Sequence, residues 1–266
     1  MNLPGKQQEL LFGRFGARQA IRTALSHPSS VFALAVLDFR ISKALGVPRR
    51  RIVEWRKKLV DVDQLPRQLV QQYNLSTGRS IGGYSGGTTI GTTNEILYYF
   101  VRALRPGIIV ETGVASGFSS AYLLQALHDN EYGALFSIDL PTTDPRGRLN
   151  EDGVREGVYV ASPDQTGAAV PTALRDRWTL LLGSSQEVLP EFLDRHDSIG
   201  LFFHDSSHSR EYMLWEYHQA WPHILPGGWL LSDDINWNSA FHDFSREVNA
   251  IPFTWERGHR GGVMHP

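Results

Sequence analysis

Residues 107–120 read Gly-Ile-Ile-Val-Glu-Thr-Gly-Val-Ala-Ser-Gly-Phe-Ser-Ser. Ile108–Val110 is apolar, too short for a helix and of the composition of a buried strand. Glycines at 113 and 117 punctuate a tight loop, and Ser119–Leu127 follows as a helix with Tyr122, Leu123, Leu124 and Leu127 inward. Strand, glycine turn and helix make the nucleotide-binding unit of a doubly wound sheet. Its ligand lies over the carboxyl end of the strand, against the helix N-terminus. Such a unit cannot bury itself alone and requires further strands with helices on both faces.

The remaining sequence supplies them. Ala134–Ile138 predicts a strand ending at Asp139. Thr179–Leu182 predicts another, followed by Gly183-Ser184-Ser185-Gln186 and a helix through Leu193. Ile199–His204 ends at Asp205, and a helix runs from about Arg210 to Trp221. Pro226-Gly227-Gly228 turns the chain into Trp229–Ser232, which ends at Asp233-Asp234. Phe241–Asn249 reads as a helix, with short strands near Phe253–Trp255 and Gly262–Met264. The predicted class is α/β, Rossmann-like and doubly wound, with a mainly parallel sheet. Residues 140–178 exceed an ordinary βα connection. They are expected to hold the second helix plus an inserted loop, either a lid or specificity element or a passive insertion.

The first third differs in character. Ala17–Leu25, Val31–Leu45 and Arg49–Val60 carry helical spacing, broken at Pro28 and at Gly46–Pro48. This segment reads as a helical cap, a dimer arm or one wall of a substrate pocket. Residues 76–93, rich in Gly, Ser and Thr, form a mobile loop or a linker into a helix over Asn94–Leu104. The expected division is a helical extension with its loop over 1–90 and a main domain over 91–266. Homo-oligomerisation through the N-terminal helices is one reading of the extension.

Composition narrows the function. Net charge is −2 with no basic patch, so no nucleic-acid partner is expected. Arg49–Arg51 and Arg56–Lys58 read as a solvated helix face. The absence of cysteine excludes disulfides, thiolate metal sites and a cysteine nucleophile, and accords with a cytoplasmic protein. No apolar stretch approaches the roughly 20 residues of a membrane helix, and the N-terminus carries no signal-peptide pattern.

Acids stand at the strand ends: Glu111, Asp139, Asp205 and Asp233-Asp234. This edge is where a doubly wound fold places ligand contacts, and unpartnered buried carboxylates are costly. Asp139, 26 residues after Gly113, is placed to accept hydrogen bonds from ribose hydroxyls. The loop argues against a dinucleotide. It has G-x-x-x-G with Ala115 inside instead of G-x-G-x-x-G, and Glu111 would repel a nearby phosphate. A cofactor with a cationic or amino-acid end suits that acid. Asp205, Asp233 and Asp234 offer hard oxygen ligands for Mg²⁺ or a similar ion. His208, three residues after Asp205, is a candidate base, with a surface histidine as the plain alternative. His204 reads as a packing residue. Trp237, just past the Asp233-Asp234 strand end, is the aromatic residue singled out for an acceptor pocket.

Five motifs in order resemble class I S-adenosylmethionine-dependent methyltransferases. They are Val110–Ser119, Phe136-Ser137-Ile138-Asp139, Leu182–Gln186, His204-Asp205-Ser206-Ser207-His208, and Pro226-Gly227-Gly228 through Ser232-Asp233-Asp234. Within that class they look like metal-dependent O-methyltransferases related to catechol O-methyltransferase and to sugar and antibiotic-tailoring enzymes. The resemblance covers about 91–235. It implies a seven-stranded sheet with an antiparallel last strand, and transfer of a methyl group to a hydroxyl of a small molecule. It further implies that Glu111, Gly113, Gly117 and Ser119 hold the methionine part of the cofactor, with Ala115 and Ser116 in the same cradle. Asp139 would bind the ribose, Ser185 and Gln186 would edge the adenine, and Asp205, Asp233 and Asp234 would ligate Mg²⁺. Asp205 and His208 would carry the catalysis; the alternatives are a metal-independent methyltransferase on the same fold and a non-catalytic S-adenosylmethionine-binding protein. The catechol-type pattern has Lys where this chain has His208 and Asn where it has Asp234. His208 keeps a titratable base at that position, while Asp234 makes the site more anionic, which favours a divalent ion but puts a strict catechol substrate in doubt.

Overall fold

The computed structural model describes residues 28–78, 92–144, 148–150, 153, 155–156, 160, 162–196 and 198–266. The chain divides into two compact units, Met1–Arg67 and Gln68–Pro266. In the first, α1 (Pro28–Ala44) and α2 (Arg49–Lys57) pack on one another, and a π-helical turn over Lys58–Val62 follows. Pro48 opens α2, because a ring that fixes φ suits the entry to a helix. Asp38, almost fully buried on α1, is paired by the Arg56 guanidinium of α2. The predicted helix at Ala17–Leu25 and most of the glycine-rich loop lie outside the described residues. Helix α3 (Leu65–Thr77) spans the boundary between the units.

The second unit is the doubly wound domain. Its chain order is α4 (Thr92–Leu104), β1 (Ile108–Thr112), α5 (Phe118–Asn130), β2 (Ala134–Asp139), the small hairpin β3 (Arg148–Leu149) and β4 (Arg155–Glu156), then β5 (Trp178–Leu182). It continues with α6 (Ser185–Arg195), β6 (Ile199–His204), α7 (Arg210–Ala220), β7 (Ile224–Ser232), α8 (Ala240–Glu247), β8 (Phe253–Trp255) and β9 (Arg260–Met264). The seven-stranded sheet runs β5-β2-β1-β6-β7-β9-β8, and β9 is antiparallel to both of its neighbours. Strand β1 sits near the centre, which explains its apolar run Ile108–Val110.

Alternation along the strands divides the core. Val110, Phe202, Leu230 and Val263 lie in register across four strands and join Leu189, Phe192, Met213, Tyr217, Phe241 and Phe244 of α6–α8 in one buried cluster. Trp229 points to the other face, where Phe100 of α4 meets it edge-on at 4.9 Å. Helix α5 is buried along Phe118–Leu127, wider than a single inward face, because α4 packs on it as well as the sheet. The Pro226–Gly228 turn is drawn into β7 as a bulge: the ladder pairs Ile199 with Ile224, then Leu201 with Trp229.

Residues 140–178 differ from expectation. Among the described residues they contain no α-helix, only the β3–β4 hairpin and two 3₁₀ turns, Pro163–Gln165 and Thr172–Arg177. Residues 166–171 are buried and lie on the glycine loop, with Gly167 N–H donating to Ala115 O at 2.8 Å and Ala169 N–H to Ser116 O at 2.9 Å. Small residues make this possible: a Cβ on Gly117 would stand 2.8 Å from Gly167 Cα.

Candidate functional site

The carboxyl ends of β2, β1, β6 and β7 form one edge, stitched by backbone hydrogen bonds that continue past each strand. Gly113 N–H donates to Ile138 O at 2.9 Å, Asp205 N–H to Thr112 O at 2.8 Å and Asp233 N–H to His204 O at 2.9 Å. Glycine at 113 is required twice over. Its φ is +83°, and a Cβ there would lie 1.9 Å from the Asp205 carbonyl oxygen. Ala115 also adopts a positive φ of 47°, and Gly117 at +83° caps α5. Asp139 braces the loop by accepting from Val114 N–H at 2.9 Å.

Glu111 lies beneath this loop, with none of its surface exposed. Its carboxylate accepts from Ser119 Oγ at 2.7 Å, Ser120 Oγ at 2.6 Å and Ser137 Oγ at 2.7 Å. Burial raises its pKa, and the three hydroxyls offset part of that. Glu111, which the sequence analysis expects to hold the methionine part of a cofactor together with Ser119, is here bonded to that serine beneath the loop. Ser185 is likewise turned inward, hydrogen-bonded to Glu216 and 2.7 Å from Tyr212 Oη, while Gln186 stays exposed on the first turn of α6.

Glu216, which the sequence reading passed over, is the hub under the adjoining strand ends. Fully buried, it accepts from Thr112 Oγ1 at 2.6 Å, Ser206 Oγ at 2.8 Å and the Ser185 hydroxyl, and lies 2.6 Å from His204 Nδ1. Burial alone would raise its pKa; the His204 charge and these hydrogen bonds outweigh it and hold the carboxyl low. His204 is a buried partner of Glu216, in keeping with its reading as a packing residue.

Asp205, His208, Asp233 and Asp234 converge as the spacing predicted. His208 Nε2 stands 3.8 Å from Asp205 Oδ1 and 3.9 Å from Asp234 Oδ2. Burial, reinforced by His204, lowers the His208 pKa to about 3. Burial and then the Asp233 charge push Asp205 well up, and the same causes raise Asp234 to about 6. Asp234 occupies the left-handed region at φ 47°. Trp237, half exposed, lies against the His208 ring at 5.1 Å between centroids, and Asn238 Nδ2 donates to His208 O at 2.8 Å.

Asp233 differs from its expected role. Arg260 grips both of its oxygens, with Nε to Oδ1 and Nη2 to Oδ2 each at 2.7 Å. The same guanidinium donates through Nη1 to Asn94 Oδ1 at 2.6 Å and lies over the Phe203 ring at 5.9 Å. Burial works to raise the Asp233 pKa, but the Arg260 charge and hydrogen bonds keep it low. Among the described residues, no group of three or more His, Asp or Glu side chains is placed to hold a metal ion. The residues present do not fit the expected Mg²⁺: the middle carboxylate of the proposed ligand set already holds a buried cation. The signal for Arg260 was its Arg-Gly-Gly context, since paired glycines in a strand mark close approach of another chain segment.

Residues 110–235 match the family model for a methyltransferase domain. Solved structures carry the same fold. A proposed O-methyltransferase from Klebsiella pneumoniae is 14% identical with a TM-score of 0.51, over 76% of this chain and 89% of that one. A methyltransferase from Podospora anserina with SAH bound is 13% identical with a TM-score of 0.51, over 75% of this chain and 88% of that one. No curated protein matches the sequence. No helix among the described residues is long and apolar enough to cross a membrane.

Proposed function

We propose that the chain, whose residues 110–235 match the family model for a methyltransferase domain, moves a methyl group from S-adenosylmethionine to a hydroxyl of a small molecule, in the range of sugars, secondary metabolites and phenols. The observation that carries this reading is the meeting, on one sheet edge, of the glycine loop, Asp139 and the Asp205–His208 pair. The SAH bound to the Podospora enzyme supports the donor, and the Klebsiella protein supports oxygen as the acceptor atom. Gly113, Ala115, Ser116 and Gly117 would form the cradle for the donor, with Asp139 to bind its ribose and Gln186 to edge its adenine. Glu111, Ser119 and Ser185 hold these residues in place. The cradle fits this donor: two glycines at φ +83° leave no room for side chains, and an acidic edge suits a sulfonium where it would repel a pyrophosphate.

When bound, S-adenosylmethionine supplies an electrophilic methyl group: a C–O bond forms, the S–C bond breaks with its electron pair kept by sulfur, and the hydroxyl gives up its proton. The chain's own work is to align the acceptor oxygen and receive that proton. Burial raises the proton affinity of Asp205, which suits that carboxyl to receive it; His208, kept neutral because burial lowers its pKa to about 3, stands 3.8 Å away and offers an uncharged ring beside it. Trp237 offers the acceptor an apolar flank beside His208. No step runs through a metal, because Asp233 is engaged by Arg260.

Calorimetry with S-adenosylmethionine tests the reading, followed by transfer of labelled methyl to a panel of hydroxyl compounds. Asp139→Ala should weaken cofactor binding by about tenfold or more, roughly 1.4 kcal/mol. A wild-type chain that does not bind S-adenosylmethionine, or an Asp139→Ala variant of full affinity, would refute it.

A further inference from the structure

Four observations bear on the acidic edge. Arg260 is 5% exposed, yet three of its nitrogens make hydrogen bonds of 2.6–2.7 Å to Asp233 and Asn94. It arrives there by topology: β9 runs against the sheet, and Ser232 pairs with Gly261, so Arg260 comes level with Asp233 at the carboxyl edge. Glycines let β9 lie that close. A Cβ at Gly261 would come within 2.7 Å of Ile235 and Phe241, and one at Gly262 within 2.4 Å of Leu231. Finally, the sign of the charge matters. A small divalent ion needs ionised carboxylate oxygens at about 2.0–2.1 Å, and both oxygens of Asp233 already bond a bidentate guanidinium, the geometry in which an arginine–carboxylate pair is strongest.

We propose that Arg260 is the resident cation of this edge, occupying the place between the aspartates that a divalent ion would need, so that the chain binds no divalent ion there and works without one. This rests on the methyltransferase reading for its catalytic half only. A metal entering the cluster must displace a buried guanidinium, leaving that charge without its carboxylate and beside a second cation. Arg260 acts as a positioning residue: it fixes Asp233, ties it to α4 through Asn94, and sets the positive charge next to Asp205.

The test is a titration of the full chain with Mn²⁺, followed by water-proton relaxation, in wild type, Asp233→Asn, Arg260→Met and Arg260→Met/Asp233→Asn. Wild type should bind with a Kd weaker than about 1 mM, the weak end for carboxylate sites. Arg260→Met, with the buried charge removed and the three aspartates freed, should bind one Mn²⁺ at least tenfold more tightly, and Asp233→Asn should abolish that gain. Stoichiometric Mn²⁺ binding by wild type that is lost in Asp233→Asn overturns the proposal, and this arm requires no Arg260 variant to fold. A folded Arg260→Met variant with no gained site also overturns it. SAH calorimetry is the separate arm: absence of SAH binding refutes the methyltransferase reading and leaves the Mn²⁺ result standing.

Discussion

Gly113→Ala is the substitution that most directly tests how the loop and the acidic edge are joined. Two costs follow from the structure. At φ +83° an alanine sits in a region that L-residues avoid, at a cost of about 1–2 kcal/mol. Its Cβ would also stand 1.9 Å from the Asp205 carbonyl oxygen, against 3.4 Å for ordinary contact, so the ends of β1 and β6 must part by about 1.5 Å. Overpacking of this kind adds roughly 1–3 kcal/mol, for a total loss of about 2–5 kcal/mol. Gly227→Ala is the matched control: φ is +78°, and nothing lies within 4 Å of its Cβ, so only the conformational cost applies. In a domain of this size a loss of 1 kcal/mol lowers Tm by roughly 2–4 °C, and circular dichroism melts would separate the two variants. Because the movement falls on Asp205, methyl transfer in Gly113→Ala should drop by on the order of 10²-fold even where the protein remains folded. Equal melting of the two variants, together with normal turnover in Gly113→Ala, would refute the argument that this glycine sets the distance between cofactor loop and catalytic edge.

Two further outcomes are expected. Glu216→Ala removes one carboxylate from three hydroxyl donors and His204, with no solvent to replace it, and should cost about 3–5 kcal/mol in urea unfolding; a loss below 1 kcal/mol would show that the hub is not needed. His208 has its folded pKa lowered to about 3 from 6.5, so the unfolded chain takes up the proton first as pH falls. Its contribution to stability is complete above pH 6.5 and is lost as pH drops from there towards 3, amounting to roughly 2–3 kcal/mol by pH 4.5. His208→Gln should flatten that part of the stability–pH curve; an unchanged slope would contradict the burial assigned to this ring.

Legibility differed between partners of the same interaction. The strand-end acids could be read because strand, turn and helix signals fix where each strand stops, and a doubly wound fold puts all of those stops on one edge. Their partners could not. Glu111 is enclosed by serines from α5 and β2, and a carboxylate facing three hydroxyls looks in sequence like one facing a ligand. Glu216 sits in a helix whose pattern gives no sign that this position lies under His204. That no second helix occurs among the described residues of 140–178 has a similar cause. A parallel crossover predicts a helix there, but Gly167, Ala168 and Ala169 are small enough to lie directly on the glycine loop, and their backbone hydrogen bonds go to Ala115 and Ser116 instead of to a helix of their own.

Arg260 carries the largest consequence of this asymmetry. Three aspartates at neighbouring strand ends have the same meaning in sequence whether a metal or an arginine balances them, since both solutions require acids of that spacing. What separates the two is a cation 27 positions after Asp233 on an antiparallel strand, whose register is set by tertiary packing and by two glycines that let the strand approach. An aspartate already gripped through both oxygens is a poor metal ligand, while burial and the Asp233 charge raise the proton affinities of Asp205 and Asp234 beside a neutral His208, and the Arg260 charge moderates that rise. On the proposed reading, an edge charged in this way holds a sulfonium and accepts a proton. On that same reading the balance between those two tasks depends on Arg260, a residue outside the segment that matches the methyltransferase family model.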